Sequence, residues 1–215
     1  MRKLEQFGTR ILVSVILGYL VAVIASIVAW LNVGMMSNFY PNQRATWQAL
    51  SDIDRMIEVY RRDRKSLPQS LKEIRSINEV HHEFDSDERS NPLDAWGRPF
   101  VYSVDGNHYT VSSLGRDGRL GGVGLDCDLS NNDSWPEDAR PTFRQFISQK
   151  PARGVLGTCL ACGIVVFFIG MTTVDPSAIQ DKASIIALVV KLVVTILGAV
   201  LASVFISAFH IPNHH

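Results

Sequence analysis

The chain has few cysteines, no net charge and none of the common enzyme signatures. Its three cysteines, Cys127, Cys159 and Cys162, are too few and too badly placed for a disulfide framework. The 21 basic residues balance 21 acidic ones, and no basic stripe with interleaved aromatic residues occurs, so nucleic acid is not expected as a partner. The sequence lacks G-x-S-x-G and H-E-x-x-H motifs and offers no nucleophile with a base, so we do not expect an enzyme.

Charged residues are nearly absent from three long apolar runs. Each run reaches the roughly 20 apolar residues that cross a bilayer as a helix. Only the last run contains a charge, Lys191. We therefore predict a multi-pass membrane protein with transmembrane helices at 11–33, 154–174 and 183–209. The first run is too long for the apolar core of a cleaved signal peptide, so we expect it to remain as an anchor.

The other residues form a short N-terminus, 1–10, and one globular domain, 34–150. Arg2, Lys3 and Arg10 lie before or at the edge of the first apolar run. Positive charge is enriched on the cytoplasmic side of membrane proteins, so the N-terminus is predicted to be cytoplasmic. The globular domain is then extracytoplasmic.

Within the globular domain the sequence predicts an amphipathic helix and a β-hairpin. Arg98–Val104 and His108–Ser113 alternate between polar and apolar residues, and Asp105-Gly106-Asn107 between them is typical of a tight turn. Apolar residues before them recur at spacings of three and four, which is typical of a helix with one buried face. Those residues are Trp47, Leu50, Ile53, Ile57 and Tyr60.

A loop rich in glycine and aspartate follows the hairpin. Asp117, Asp126 and Asp128 lie within twelve positions of one another. Glycines between them allow the backbone to adopt positive φ and fold back. Because Ca²⁺ takes about six to eight oxygen ligands from carboxylates, carbonyls and water, the loop predicts a calcium site. The alternative is a solvent-exposed turn in which Asp and Gly serve only to reverse the direction of the chain. The glycines are Gly115, Gly118, Gly121, Gly122 and Gly124.

Two motifs in this region resemble a known family. DAWGRPFVY at 94–102 and SLGRDGRLGGVGLDCD at 113–128 follow the patterns D-x-W-G-x-P-[FY]-x-Y and S-L-G-x-D-G-x-x-G-G-x-G-x-D-x-D. These are patterns of the major pseudopilin of the type II secretion system, and the second is matched without a gap. The resemblance covers residues 45–132. It implies an α+β, pilin-like fold in which a long N-terminal helix packs on a small antiparallel sheet with a calcium-binding loop.

The resemblance also implies a ligand set, a location and partners. It implies that Ca²⁺ is bound by the carboxylates of Asp117, Asp126 and Asp128 and by the carbonyls of Leu114 and Arg119. It implies a calcium-stabilised structural or interaction protein of the bacterial inner membrane, related to type II secretion. The partners implied are the membrane itself, secretion-system or envelope proteins, and further copies of the chain.

The N-terminus and the last two apolar runs differ from that family. Its processing signal is cut after a glycine and carries a glutamate, whereas here Gly8 is followed by Thr9 and Arg10 and the apolar run has no glutamate. A filament subunit must leave the bilayer, and three spanning helices resist extraction. These differences favour a second hypothesis, a polytopic membrane protein that uses the domain as an interaction module and does not polymerise.

Overall fold

The computed structural model describes residues 2–34, 38–76, 85–132, 134–174, 186–187, 189–190, 193–195, 197–198 and 201. The chain divides into two compact units. The first unit contains Met1–Gly34 and Phe146–His215, and the second contains Met35–Gln145. Lys191 and most of the predicted span 183–209 lie outside the described residues.

Two helices precede the three strands of a small sheet, and two helices follow them. In chain order they are α1 (Arg2–Asn32), α2 (Pro41–Arg64), β1 (Val101–Asp105), β2 (His108–Ser113), β3 (Leu129–Ser130), α3 (Phe143–Ser148) and α4 (Ala152–Thr173). Short 3-10 turns occur at Glu73–Ser76, Gly124–Asp126 and Glu137–Ala139.

In the first unit, α1 and α4 pack against each other along a seam of small residues. A Cβ added at Gly18 would lie 2.6 Å from the Gly163 carbonyl oxygen, and one at Gly170 would lie 2.7 Å from the Ser14 hydroxyl oxygen. The helices therefore run antiparallel, because Gly18 meets Gly163, whereas the earlier residue Ser14 meets the later residue Gly170. Small residues allow such close backbone approach. Buried positions are Ser14, Val21, Ala25 and Ala29 on α1 and Val155, Cys159, Gly163, Val166 and Gly170 on α4.

Both helices of this seam are long and apolar enough to cross a bilayer by length and composition. The qualifying stretches are Leu4–Asn32 and Ala152–Thr173. The predicted boundary at residue 11 marks the start of the apolar run, whereas the helix itself begins at Arg2. Large apolar side chains such as Tyr19 and Phe168 are exposed on these helices.

In the second unit, the predicted amphipathic helix is α2. Proline at its first position suits a helix start, because its fixed φ is already helical. The helix ends where Lys65 adopts φ 58° and donates its N–H to the Arg61 carbonyl. Leu50, Ile53 and Ile57 are buried, which confirms the buried face that the spacing predicted.

The sheet of the second unit has the strand order β1-β2-β3 and is antiparallel throughout. Asp105 pairs with His108, so Gly106 and Asn107 are the two central turn residues. Gly106 adopts φ 58°, as the first position of a type II′ turn requires. The turn therefore lies within Asp105-Gly106-Asn107, where the sequence predicted it. The third strand, β3, was not predicted.

The core of the second unit lies between α2 and the sheet, which gives the α+β arrangement of a pilin-like domain. The apolar N-terminal helix and the small antiparallel sheet are confirmed. The long N-terminal helix of the pilin-like fold is interrupted in this chain, because α1 ends at Asn32 and α2, which packs on the sheet, begins at Pro41. The core residues are Leu50, Ile53, Met56, Ile57, Leu71, Ile74, Phe100, Val111, Cys127, Leu129 and Ala139.

Candidate functional site

The loop after β2 spans residues 114–128 and folds back on itself. A Cβ added at Gly115 would lie 2.8 Å from the carbonyl oxygens of both Asp126 and Cys127. One added at Gly122 would lie 2.5 Å from the Asp126 carbonyl oxygen. Both glycines have positive φ, 64° and 101°. Glycine is therefore required at these two close contacts between the arms of the loop.

A buried aspartate ties the start of this loop to the segment before β1. Asp94 is only 4% exposed. Its Oδ1 accepts the N–H groups of Trp96 and Arg98 at 2.9 and 3.0 Å, and its Oδ2 accepts the Ser113 hydroxyl at 2.6 Å. Ser113 Oγ in turn accepts the Gly115 N–H at 3.2 Å. The first sequence motif thus anchors the second, because the carboxylate bonds to both.

Asp126, a predicted metal ligand, already has a cationic partner. The Arg116 guanidinium donates from Nε to Oδ1 at 2.8 Å and from Nη2 to Oδ2 at 2.9 Å. Gln145 Nε2 also donates to Oδ2, at 3.0 Å. Such bidentate pairs are strong and directional, so Arg116 neutralises the charge of Asp126.

Asp128 and Asp117 have different surroundings. Asp128 Oδ2 accepts the Gly121 N–H at 2.9 Å. Its Oδ1 is buried, and none of the described residues donates a hydrogen bond to it. Asp117 is exposed, and its Oδ1 accepts the Arg119 N–H at 3.1 Å in a local turn. Among the described residues, only the Asp128 carboxylate of these three has a buried oxygen that accepts no hydrogen bond.

The structure does not bring the three predicted carboxylates together. Within the described ranges, no three His, Cys, Asp or Glu side chains are close enough to hold one metal ion. The predicted ligand atoms of the loop are all oxygens, which suits a hard cation. A buried carboxylate oxygen that accepts no hydrogen bond from the described residues is a group that a cation can satisfy. Leu114 and Arg119, whose carbonyls are the other predicted ligands, lie in the same loop. The arrangement therefore fits a cation at Asp128 but leaves Asp126 bound to Arg116.

Two glutamines that contact the loop were missed by the sequence analysis. Gln43 is 1% exposed, and its Nε2 donates to the carbonyls of Gly124 and Ala139 at 3.1 and 2.8 Å. Gln145 is 8% exposed and contacts residues 123–126. A polar residue on the apolar face of α2 was the available signal for Gln43. No sequence pattern marks Gln145.

A second polar network joins α2 to the sheet. The Tyr109 hydroxyl donates to Asp54 Oδ1 at 2.8 Å, and Asn131 Nδ2 donates to the same oxygen at 2.7 Å. Burial, followed by the hydrogen bond to Asp54, raises the pKa of Tyr109. A small cavity of about 130 Å³, lined by Trp47 among others, lies beside these residues. The network fastens β2 and β3 to α2.

Residues 36–132 match the family model of type II secretion system protein G. The match covers α2, the hairpin, the glycine-rich loop and β3, and amounts to just under half of the chain. It ends before Gln145 and before α4. A comparison with curated proteins gave no match.

Proposed function

We propose that this chain, whose residues 36–132 are a pseudopilin segment of the type II secretion protein G family, is a membrane-anchored structural protein of that secretion machinery. The family match carries the proposal. The apolar helix α1, which precedes the segment, supports an anchor in the bacterial inner membrane. In the proposed orientation, the second unit lies on the extracytoplasmic face, where it contacts other secretion components.

Deletion of the gene in its own host tests this proposal. We expect lower amounts of secreted protein in the medium and recovery on return of the full-length chain. A chain without residues 38–145 should not restore secretion, although it keeps α1 and α4. Alkaline extraction should leave the full-length chain in the membrane fraction. Unchanged secretion in the deletion strain would contradict the proposal.

Calcium is the ligand that we propose for the loop. The buried Oδ1 of Asp128, which accepts no hydrogen bond from the described residues, supports it, and the proposed ligand atoms are all oxygens. The Asp117 carboxylate and the carbonyls of Leu114 and Arg119 complete the proposed ligand set. Asp126 joins it only if Arg116 releases one of its two oxygens. The bound ion would supply positive charge at Asp128 Oδ1, to which no residue in the described part of the chain donates a hydrogen bond.

Titration calorimetry of the full-length protein in detergent measures this binding directly. Asp128→Ala should abolish the heat of Ca²⁺ binding. Asp105→Ala is the matched control, because Asp105 is an exposed aspartate at the end of β1 and should leave binding unchanged. Equal binding heats for wild type and Asp128→Ala would exclude Asp128 as a ligand.

The α1–α4 seam favours the second candidate function, a polytopic protein whose domain acts as a fixed interaction module. Because α4 covers the small-residue face of α1, extraction of α1 into a filament would expose that face or carry α4 with it. In this form the chain docks partners from the membrane and does not polymerise.

Cysteine cross-linking in native membranes tests whether the seam exists in the cell. A Cβ added at Gly170 lies 3.1 Å from Ser14 Cβ, close to the roughly 3.8 Å typical of a disulfide. In a chain without its native cysteines, the pair Ser14→Cys and Gly170→Cys should form a disulfide on mild oxidation. The pair Ser14→Cys and Gly157→Cys should not, since a Cβ at Gly157 has no neighbour within 4 Å. Equal cross-linking of both pairs would contradict the seam.

A further inference from the structure

A side chain beyond the family-matched segment closes the end of the glycine-rich loop. The Gln145 side-chain Oε1 accepts the N–H groups of Leu125 and Thr142 at 3.1 and 3.0 Å. Its Nε2 donates to the Val123 carbonyl at 3.1 Å and to Asp126 Oδ2 at 3.0 Å. A primary amide offers two donors and an acceptor with two lone pairs. The hydrogen-bonding capacity of Gln145 is therefore fully used, mostly by the loop.

Gly124 is the loop residue that lies directly against this amide. It adopts φ 66°, and an added Cβ would overlap Gln145 Oε1. The Gly124 carbonyl accepts a hydrogen bond from Gln43 Nε2 at 3.1 Å. Both glutamines are buried, at 1% and 8% exposure. Two buried amides from distant parts of the chain thus hold one short turn.

Arg116 completes the contacts at this end of the loop. Its guanidinium binds both carboxylate oxygens of Asp126, and its backbone N–H donates to the Leu125 carbonyl at 2.8 Å. The negative charge beside Gln145 is therefore balanced by a residue of the loop itself.

We infer that Gln43, Arg116 and Gln145 form a clamp that holds residues 123–126 in place without a bound cation, and that Gln145 is its positioning residue. The clamp acts at Gly124 and Asp126, whereas the proposed calcium ion is assigned to Asp128. The inference therefore does not depend on calcium binding. Because the family-matched segment ends at residue 132, that segment alone lacks Gln145.

Hydrogen–deuterium exchange of the full-length protein in detergent and EDTA tests the clamp. In the wild type, peptides covering 114–126 should be protected although no divalent cation is present. Gln145→Ala should speed exchange of the Leu125 and Arg116 amides by about tenfold or more, because buried partners lose their hydrogen bonds. Peptides from β1 and β2 should keep wild-type rates.

Gln145→Glu separates hydrogen bonding from the filling of space. Glutamate has nearly the same shape and keeps one acceptor oxygen, but it replaces the Nε2 donor with an oxygen that faces Asp126 Oδ2 and the Val123 carbonyl. This variant should lose loop protection at least as much as Gln145→Ala. Gln69→Ala, at an exposed glutamine, is the matched control and should exchange as the wild type does.

Three results would overturn the inference. The first is a wild-type loop that exchanges freely in EDTA and becomes protected only in Ca²⁺. The second is wild-type protection in Gln145→Glu. The third is a uniform loss of protection over the whole second unit in both Gln145 variants, since that identifies Gln145 as a general core residue. Failure of calcium binding alone would leave the clamp unaffected, because the protection that it predicts is measured in EDTA.

Discussion

Replacement of Gly124 by alanine has two separate costs. The first is conformational, because Gly124 adopts φ 66° and a left-handed backbone costs an L-residue about 1–2 kcal/mol. The second is steric, since the added Cβ would overlap Gln145 Oε1 and lie 2.9 Å from Pro141 Cα. Relief of the overlap requires Gln145 to give up buried hydrogen bonds, which costs about 1–3 kcal/mol. We expect a total loss of about 2–5 kcal/mol.

Thermal unfolding of the second unit, followed in the full-length protein, measures this loss. A change of 1 kcal/mol shifts the Tm of a domain of 60–100 residues by about 4–8 °C, so Gly124→Ala should lower the Tm by at least about 8 °C. Gly106→Ala is the matched control. Gly106 also has positive φ, 58°, but a Cβ there has no neighbour within 4 Å, so only the conformational cost applies.

The double variant Gly124→Ala, Gln145→Ala identifies the source of the steric cost. With the amide removed, the overlap disappears, and the combined loss should be smaller than the sum of the two single losses. If Gly124→Ala and Gly106→Ala lowered the Tm equally, or if the double variant were additive, the contact between Gly124 and Gln145 would be refuted.

Three further predictions concern other parts of the fold. Asp94→Ala leaves three donors without their buried acceptor and should lower the free energy of unfolding by about 3 kcal/mol or more in urea titrations; a loss below about 1 kcal/mol would contradict this anchor. The raised pKa of Tyr109 favours the neutral phenol in the folded state, so stability should fall as the pH rises above about 10; Tyr109→Phe should flatten that fall, and an unchanged slope would exclude Tyr109 as its source. Gly163→Leu should reduce cross-linking of the Ser14→Cys, Gly170→Cys pair, because a Cβ at Gly163 meets the Gly18 carbonyl oxygen at 2.5 Å; undiminished cross-linking would show that the seam tolerates bulk.

The sequence predicted α2 and the hairpin because each is encoded by a pattern within a short stretch of the chain. The spacing from Trp47 to Tyr60 is a property of one helix, and it correctly gave the buried face of α2. The alternation around Gly106 gave the hairpin for the same reason. β3 could not be found this way, because two residues are too few to show a period and its pairing with Ser112 and Ser113 is made across the loop.

The loop was identified from its glycines and aspartates, but its internal contacts were not. The sequence predicted the same role for Asp126 and Asp128, whereas in the fold Asp126 pairs with Arg116. No described residue donates a hydrogen bond to Asp128 Oδ1. Gln43 and Gln145 reach the same turn from opposite ends of the second unit. Contacts between residues so far apart depend on tertiary packing, and a single sequence contains no periodic signal for them.

The most direct test of the calcium-stabilised loop compares melting in Ca²⁺ with melting in EDTA. Calcium at a hundredfold excess over its Kd should stabilise the wild type by about 2.7 kcal/mol, which raises the Tm in Ca²⁺ above that in EDTA. Asp128→Ala should have the same Tm under both conditions, and Asp105→Ala should keep the wild-type difference. Equal wild-type melting temperatures in Ca²⁺ and EDTA, or a difference that survives in Asp128→Ala, would contradict calcium binding at this loop.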